Sequence, residues 1–159
     1  MLRPAITALL FAAALLLGVA PAGADQLPRF ASLSRDKAYL RQGPTYDHKV
    51  LWIYRHKGLP VEILASYDVW RRVKMPDGTV GWLHVQMLSS ARTVLVLGKS
   101  PVPLRKDDDG SAKIIALAEP GVTAKLRHCG QTACEITADG TDGWADKSKL
   151  WGVRAGETF

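Results

Sequence analysis

The sequence predicts an all-β chain: two tandem copies of one small barrel-like unit behind an N-terminal leader. Three observations predict it. After residue 25 no apolar spacing of three and four residues is sustained, so amphipathic helices are not expected. Short β-rich runs separated by Gly- and Asp-containing turns take their place. The runs of the second half then restate those of the first at offsets of 62 to 64 residues.

Residues 1–24 hold one basic residue, Arg3, and no acidic one. Ala5 to Ala20 is apolar or small apart from Thr7, Pro21 breaks the run, and Ala22-Gly23-Ala24 supplies the small side chains of a signal-peptidase site. An apolar run of about 16 residues is shorter than the roughly 20 that span a bilayer, so a cleaved signal peptide is expected and not a retained anchor. No Cys lies near the cleavage point and no second hydrophobic stretch follows. The expected product is exported, periplasmic or extracellular, with no membrane span after cleavage. The 159 residues carry 21 Lys and Arg against 15 Asp and Glu, and the chain without its leader keeps an excess of +5. Such a balance ordinarily points to nucleic acid, but export removes that partner. The length suits one ordinary domain or two small ones, and neither phosphate-binding glycine pattern is present, so no nucleotide cofactor is expected.

The expected strands follow in order. In the first unit they are Ala38–Leu40, Val50–Tyr54, Pro60–Ala65, Val69–Met75, Thr79–His84 and Thr93–Leu97; in the second, Pro103–Arg105, Lys113–Ala118, Val122–His128, Cys134–Ala138 and Gly143–Ala145. The repeat is explicit. Asp77-Gly78-Thr79-Val80-Gly81-Trp82 matches Asp139-Gly140-Thr141-Asp142-Gly143-Trp144 at 62. Gly58 matches Gly121 and Val73 matches Ile136 at 63, while Leu40-Arg41 matches Leu104-Arg105 at 64. Asp-Gly between two strand-like runs is a hairpin signal, because the turn needs positive φ. Gly81 and Gly143 then fall where a bulge or a close backbone approach is expected. The units are placed at residues 28–95 and 96–153, with a tail at 154–159.

Cys129 and Cys134 flank a short turn between two strand-like arms, and in an oxidising compartment they are expected to pair. Catalysis by a Cys-His pair is disfavoured, since adjacent strand residues point to opposite faces and His128 cannot easily serve Cys129. A zinc site wants four ligands, and only three candidates cluster here. The four histidines share no metal-ligand spacing, and Asp107-Asp108-Asp109-Gly110 lacks the spacing and closing Glu of a calcium loop, so it reads as an exposed turn. No metal site is expected, and no hydrolase motif is present.

The copies are unequal. Residues 28–95 carry 11 basic and 5 acidic residues, whereas residues 96–159 carry 9 of each. Tyr39, Tyr46, Trp52, Tyr54, Tyr67, Trp70 and Trp82 also lie in the first copy. Aromatics beside Arg and Lys form the kind of surface that dominates binding energetics, so the first copy is the expected binder.

Leu40-Arg41-Gln42-Gly43-Pro44 resembles the opening of bacterial Src homology 3 (SH3b) domains. Gly58-Leu59-Pro60-Val61-Glu62-Ile63-Leu64 resembles their second conserved strand, and Trp70-Arg71-Arg72-Val73, Asp77-Gly78 and Gly81-Trp82-Leu83 complete the pattern through Leu88. A weaker second copy runs from Pro103-Leu104-Arg105 through Gly121, Cys134-Glu135-Ile136, Asp139-Gly140 and Gly143-Trp144 to Leu150-Trp151-Gly152-Val153. The resemblance implies two open five- or six-stranded SH3-like barrels, used as non-catalytic binding modules and often associated with the cell wall or envelope proteins.

It also implies where a ligand would sit. With Val73 in the core, strand alternation turns Trp70 and Arg72 to the other face. By resemblance, Trp70 lines the groove of the fold, Trp82, His84 and Met87 fall near its other wall, and Tyr46 overhangs it from a long loop. Trp52 and Trp144 are read as barrel core. Ala133 stands opposite Trp70 in the second copy, so that groove should lack its main wall and serve mainly as scaffold. Arg55-His56-Lys57 and Arg71-Arg72-Lys74 are read first as charges that protect strand edges, second as a seat for an anionic ligand. The expected ligand is a peptidoglycan peptide or another peptide, the alternative an envelope protein docked on the basic face.

Overall fold

Hydrophobic alternation builds one strand scheme twice. A computed structural model describes residues 26–159; the expected leader, residues 1–24, lies outside them. The first sheet contains β1 (Arg29–Leu33), β2 (Ala38–Arg41), β3 (Val50–Tyr54), β4 (Pro60–Tyr67), β5 (Trp70–Lys74), β6 (Val80–His84) and β7 (Leu88–Ser89). The second contains β8 (Thr93–Val96), β9 (Val102–Arg105), β10 (Ile114–Ala118), β11 (Thr123–Cys129), β12 (Ala133–Ala138), β13 (Thr141–Asp146) and β14 (Leu150–Trp151). The orders are β3-β2-β6-β5-β4-β1-β7 and β10-β9-β13-β12-β11-β8-β14, the same topology in both. Every pairing is antiparallel. Single 3₁₀ turns, Val85–Met87 and Lys147–Lys149, precede the last strand of each copy. The fold is thus all-β and tandem, with seven strand segments per copy where five or six were expected.

The cores coincide in register. Leu33, Leu40, Ile63 and Val73 of the first are answered by Val96, Leu104, Leu126 and Ile136 of the second. Where the first core has Val61, Met75 and Leu83, the second has Ala124, Ala138 and Ala145. Smaller side chains bury less apolar surface, and the second copy compensates covalently. Cys129 and Cys134, paired directly across β11 and β12, form a buried disulfide. Replacing both with Ser is expected to lower stability by about 2 kcal/mol, the chain-entropy cost of opening a loop of this length. Urea unfolding measures it, and no change in midpoint would show that the second core stands unaided.

Four expectations are corrected. Thr93–Val96 opens the second sheet and does not close the first: β8 pairs with β11 and β14, as β1 pairs with β4 and β7. The changeover therefore falls at residues 90–92, a few positions before the expected boundary. Trp52 is not core but 61% exposed, because β3 is the outer strand of its sheet and overhangs the barrel, with Leu51 and Ile53 exposed beside it. Trp144 is not core either. In β13 the inward positions are Gly143 and Ala145, which turns Trp144 outward to half-burial. Trp82 lies likewise between inward Gly81 and Leu83. The edge-protection reading also fails for Arg71, Arg72 and Lys74, since β5 is paired on both sides.

Both inward glycines are required by a close approach. A Cβ on Gly81 would lie 2.7 Å from Leu40 Cγ and 2.8 Å from the Arg41 carbonyl oxygen. The hairpin before it is locked by Asp77, which accepts hydrogen bonds from the Thr79 N–H and the Tyr54 hydroxyl, both at 2.8 Å. Burial, with Asp77 as its acceptor, pushes the Tyr54 phenol up to about 12.

The copies are clamped together. Thr93 Oγ1 donates to the Gly58 carbonyl at 2.7 Å. Arg92 forks onto Glu157 at 2.7 and 3.2 Å and lies against the rings of Phe30 and Phe159. Arg154 donates to the Pro28 carbonyl at 2.6 Å and to Glu62 at 3.2 Å. The expected tail is thereby part of the fold: Phe159 and Cys129 exchange both backbone hydrogen bonds. Burial pushes the Glu157 carboxyl up, but the hydrogen bonds from Arg92 and the Arg154 N–H, with both charges, hold it below the usual range. A carboxyl lowered in the folded state contributes stability that is present above its unfolded value and lost as pH falls through the folded one. Glu157→Gln is therefore expected to flatten the acid side of the stability curve below about pH 5, read by thermal melts; parallel curves would overturn this.

Candidate groove of the first repeat

In β5, Val73 points into the core, so Trp70 and Arg72 lie on the outer face. Trp70 is nevertheless only 5% exposed, because other rings cover it. It stands opposite His84 in the β5–β6 register, their centroids 5.4 Å apart edge-on. Tyr46 packs on both, at 5.0 Å from Trp70 edge-on and 5.7 Å from His84, stacked. Such edge-on and stacked contacts stabilise by about 1 kcal/mol each beyond the buried area.

The loop that carries Tyr46 is held by Arg41. Its guanidinium donates to the carbonyls of Tyr46 (2.9 Å) and His48 (2.8 Å) and covers the Tyr46 ring at 5.4 Å. Arg105 does the same in the second copy, donating to the Ala112 carbonyl at 2.8 Å. The His84 Nδ1 accepts the Gln86 N–H at 3.2 Å and so caps the 3₁₀ turn. In the neutral ring the proton then sits on Nε2, a donor directed away from the cap.

Tyr46, Trp70, His84 and Met87 surround one cavity of about 60 Å³, completed by Tyr39 and Arg41. Arg72 and Trp82 do not line it. They oppose each other two residues further along the same face, next to Arg41, which pairs with Trp82. Sequence reasoning missed Tyr39 and Arg41 as lining residues, although both signals were present: Tyr39 alternates with the core residue Leu40, and Arg41 recurs at Arg105. The surface offers aromatic faces, a fixed guanidinium and an imidazole donor. It suits binding. Among the described residues no group of three or more His, Cys, Asp or Glu is placed to hold a metal ion, and no helix is long and apolar enough to cross a membrane.

No curated protein matches the chain. Among solved structures it is similar to NlpC2 from Trichomonas vaginalis, at 14% identity and a TM-score of 0.35, over 79% of this chain and 48% of that one. It is also similar to NlpC1 from the same organism, at 10% identity and a TM-score of 0.36, over 80% of this chain and 47% of that one. The chain thus spans about half the length of these two proteins. A family profile described as bacterial SH3 domain matches residues 34–90 and again residues 98–152, taking in both grooves and both glycine–tryptophan pairs. The chain belongs to the bacterial SH3 domain family and carries that domain twice.

Proposed function

We propose that the protein is an exported, non-catalytic binding module that recognises a peptide or peptidoglycan ligand mainly through its first repeat. The observation that carries this reading is the Tyr46–Trp70–His84 ring cluster, held on a rigid sheet face by Arg41. Clustered aromatics with a neighbouring Arg are the residue types on which binding energy concentrates. The disulfide supports export, since such bonds persist in oxidising compartments. Tyr46, His84 and Met87 form the contact surface over Trp70, which backs the rings, with Arg72 and Trp82 extending it along the sheet. Trp70→Ala removes the shared partner of both other rings and is expected to reduce retention on purified sacculi by tenfold or more, about 1.4 kcal/mol or greater. Equal retention of both proteins, or none of either, would overturn the wall-binding reading.

The positive excess of residues 28–95 favours a second reading, docking on an acidic envelope protein. That association would weaken steeply with salt and show no affinity for sacculi.

A further inference from the structure

The groove of the second repeat lacks the wall that Trp70 gives its twin, as its sequence implies, and is the roomier for it. Ala133 holds Trp70's place in the register, opposite Asp146 as Trp70 is opposite His84. Gly110, which carries no side chain, lines the long loop that in the first copy supplies Tyr46. Losing both rings does not flatten the site; it opens a cavity of about 270 Å³, against about 60 Å³ in the first repeat. Trp144 and Pro103 form apolar walls, and Asp107, Asp108 and Asp146 stand around them.

We propose that this cavity is a ligand site of its own, taking a short peptide whose ammonium-bearing side chain lies against Trp144 among the three carboxylates. Charge complementarity supports the assignment. The first groove includes a guanidinium and no carboxylate, whereas the second sets three carboxylates against Arg105 and Lys149. Arg105 is already committed to the Ala112 carbonyl. Asp107 spends one oxygen on the Asp109 N–H at 3.1 Å and keeps the other for a ligand, while Asp146 accepts from the Ser148 N–H at 2.8 Å and lies near the Lys149 charge. The Ser148 hydrogen bonds also hold the Asp146 carboxyl below its usual range, ionised at neutral pH. An ammonium gains from the indole face as well as from the carboxylates. The assignment does not depend on what the first repeat binds.

The test follows the Trp indole N–H signals by NMR while N-acetyl-Ala-Lys-Ala-amide is added to the disulfide-bonded protein, with N-acetyl-Ala-Glu-Ala-amide as the control. The Trp144 signal is expected to move with the lysine peptide and not with the glutamate peptide, while Trp70 stays still. Asp107→Asn with Asp108→Asn changes only exposed side chains and is expected to weaken binding by about tenfold. Ala133→Trp, which rebuilds the first copy's wall, is expected to abolish it. Equal responses to both peptides, no Trp144 response at millimolar lysine peptide, or unchanged affinity in the double Asn variant would overturn the proposal, whether or not Ala133→Trp folds.

Discussion

Lys147→Met is expected to destabilise the protein by about 3 kcal/mol, because it removes a buried charge whose partners cannot leave with it. Lys147 is 7% exposed. Its ammonium donates to the carbonyls of Gly130 (2.6 Å), Gln131 (3.0 Å), Ala155 (3.3 Å) and Glu157 (2.6 Å). Two of these oxygens belong to the disulfide turn and two to the C-terminal segment, so one side chain closes the turn onto the tail. Met fills similar volume but donates nothing, which leaves oxygens buried without donors. Arg is expected not to rescue, since a planar fork cannot reproduce the convergence of a rotatable ammonium. A loss below about 1 kcal/mol in urea unfolding would show that water replaces the ammonium at little cost.

Gly81→Ala is the second large effect, about 2–3 kcal/mol. The added Cβ meets Leu40 and the backbone oxygen of Arg41, and that oxygen moves only if β2 moves. Arg41 also holds the Tyr46 loop, so the groove should loosen with the sheet and retention on sacculi should fall with stability. Gly143→Ala supplies an internal comparison. There the new Cβ meets Leu104 Cβ at 2.8 Å, but the Arg105 oxygen at 3.4 Å. Its cost is expected to be the smaller. Equal or reversed penalties, measured by chemical denaturation, would contradict the steric account.

Much of this architecture was legible because it is written locally. Asp-Gly turns, alternation around Val73 and Ile136, the two inward glycines and the paired cysteines each show within a few residues. The repeat confirms them by stating them twice. What escaped is non-local. Ala31 and Leu33 occupy the places of Val94 and Val96 in the two cores, but around them only Arg29 repeats, as Arg92, so the first strand of each sheet went unplaced or was assigned to the wrong copy. Trp52 sits on an apolar run of β3 that looks like core until its edge position is known. In the groove, the face of Trp70 followed from strand parity, whereas its burial depends on a loop ring brought in by Arg41. The size of the second groove was out of reach for a related reason: Ala133 announces a missing wall in sequence, but the room this leaves exists only in space.

The clamp of Arg92 and Arg154 between the copies has a consequence for avidity. With only three residues between β7 and β8, and side chains bonded across the junction, there is no slack tether. The two grooves are held at fixed gauge. A flexible tether would let both engage almost any pair of sites at a modest effective concentration. A rigid one rewards only a ligand whose two recognised elements match the spacing, and for that ligand the second contact forms with little further loss of freedom. The tandem would thus measure the distance between two chemical groups as well as their identity.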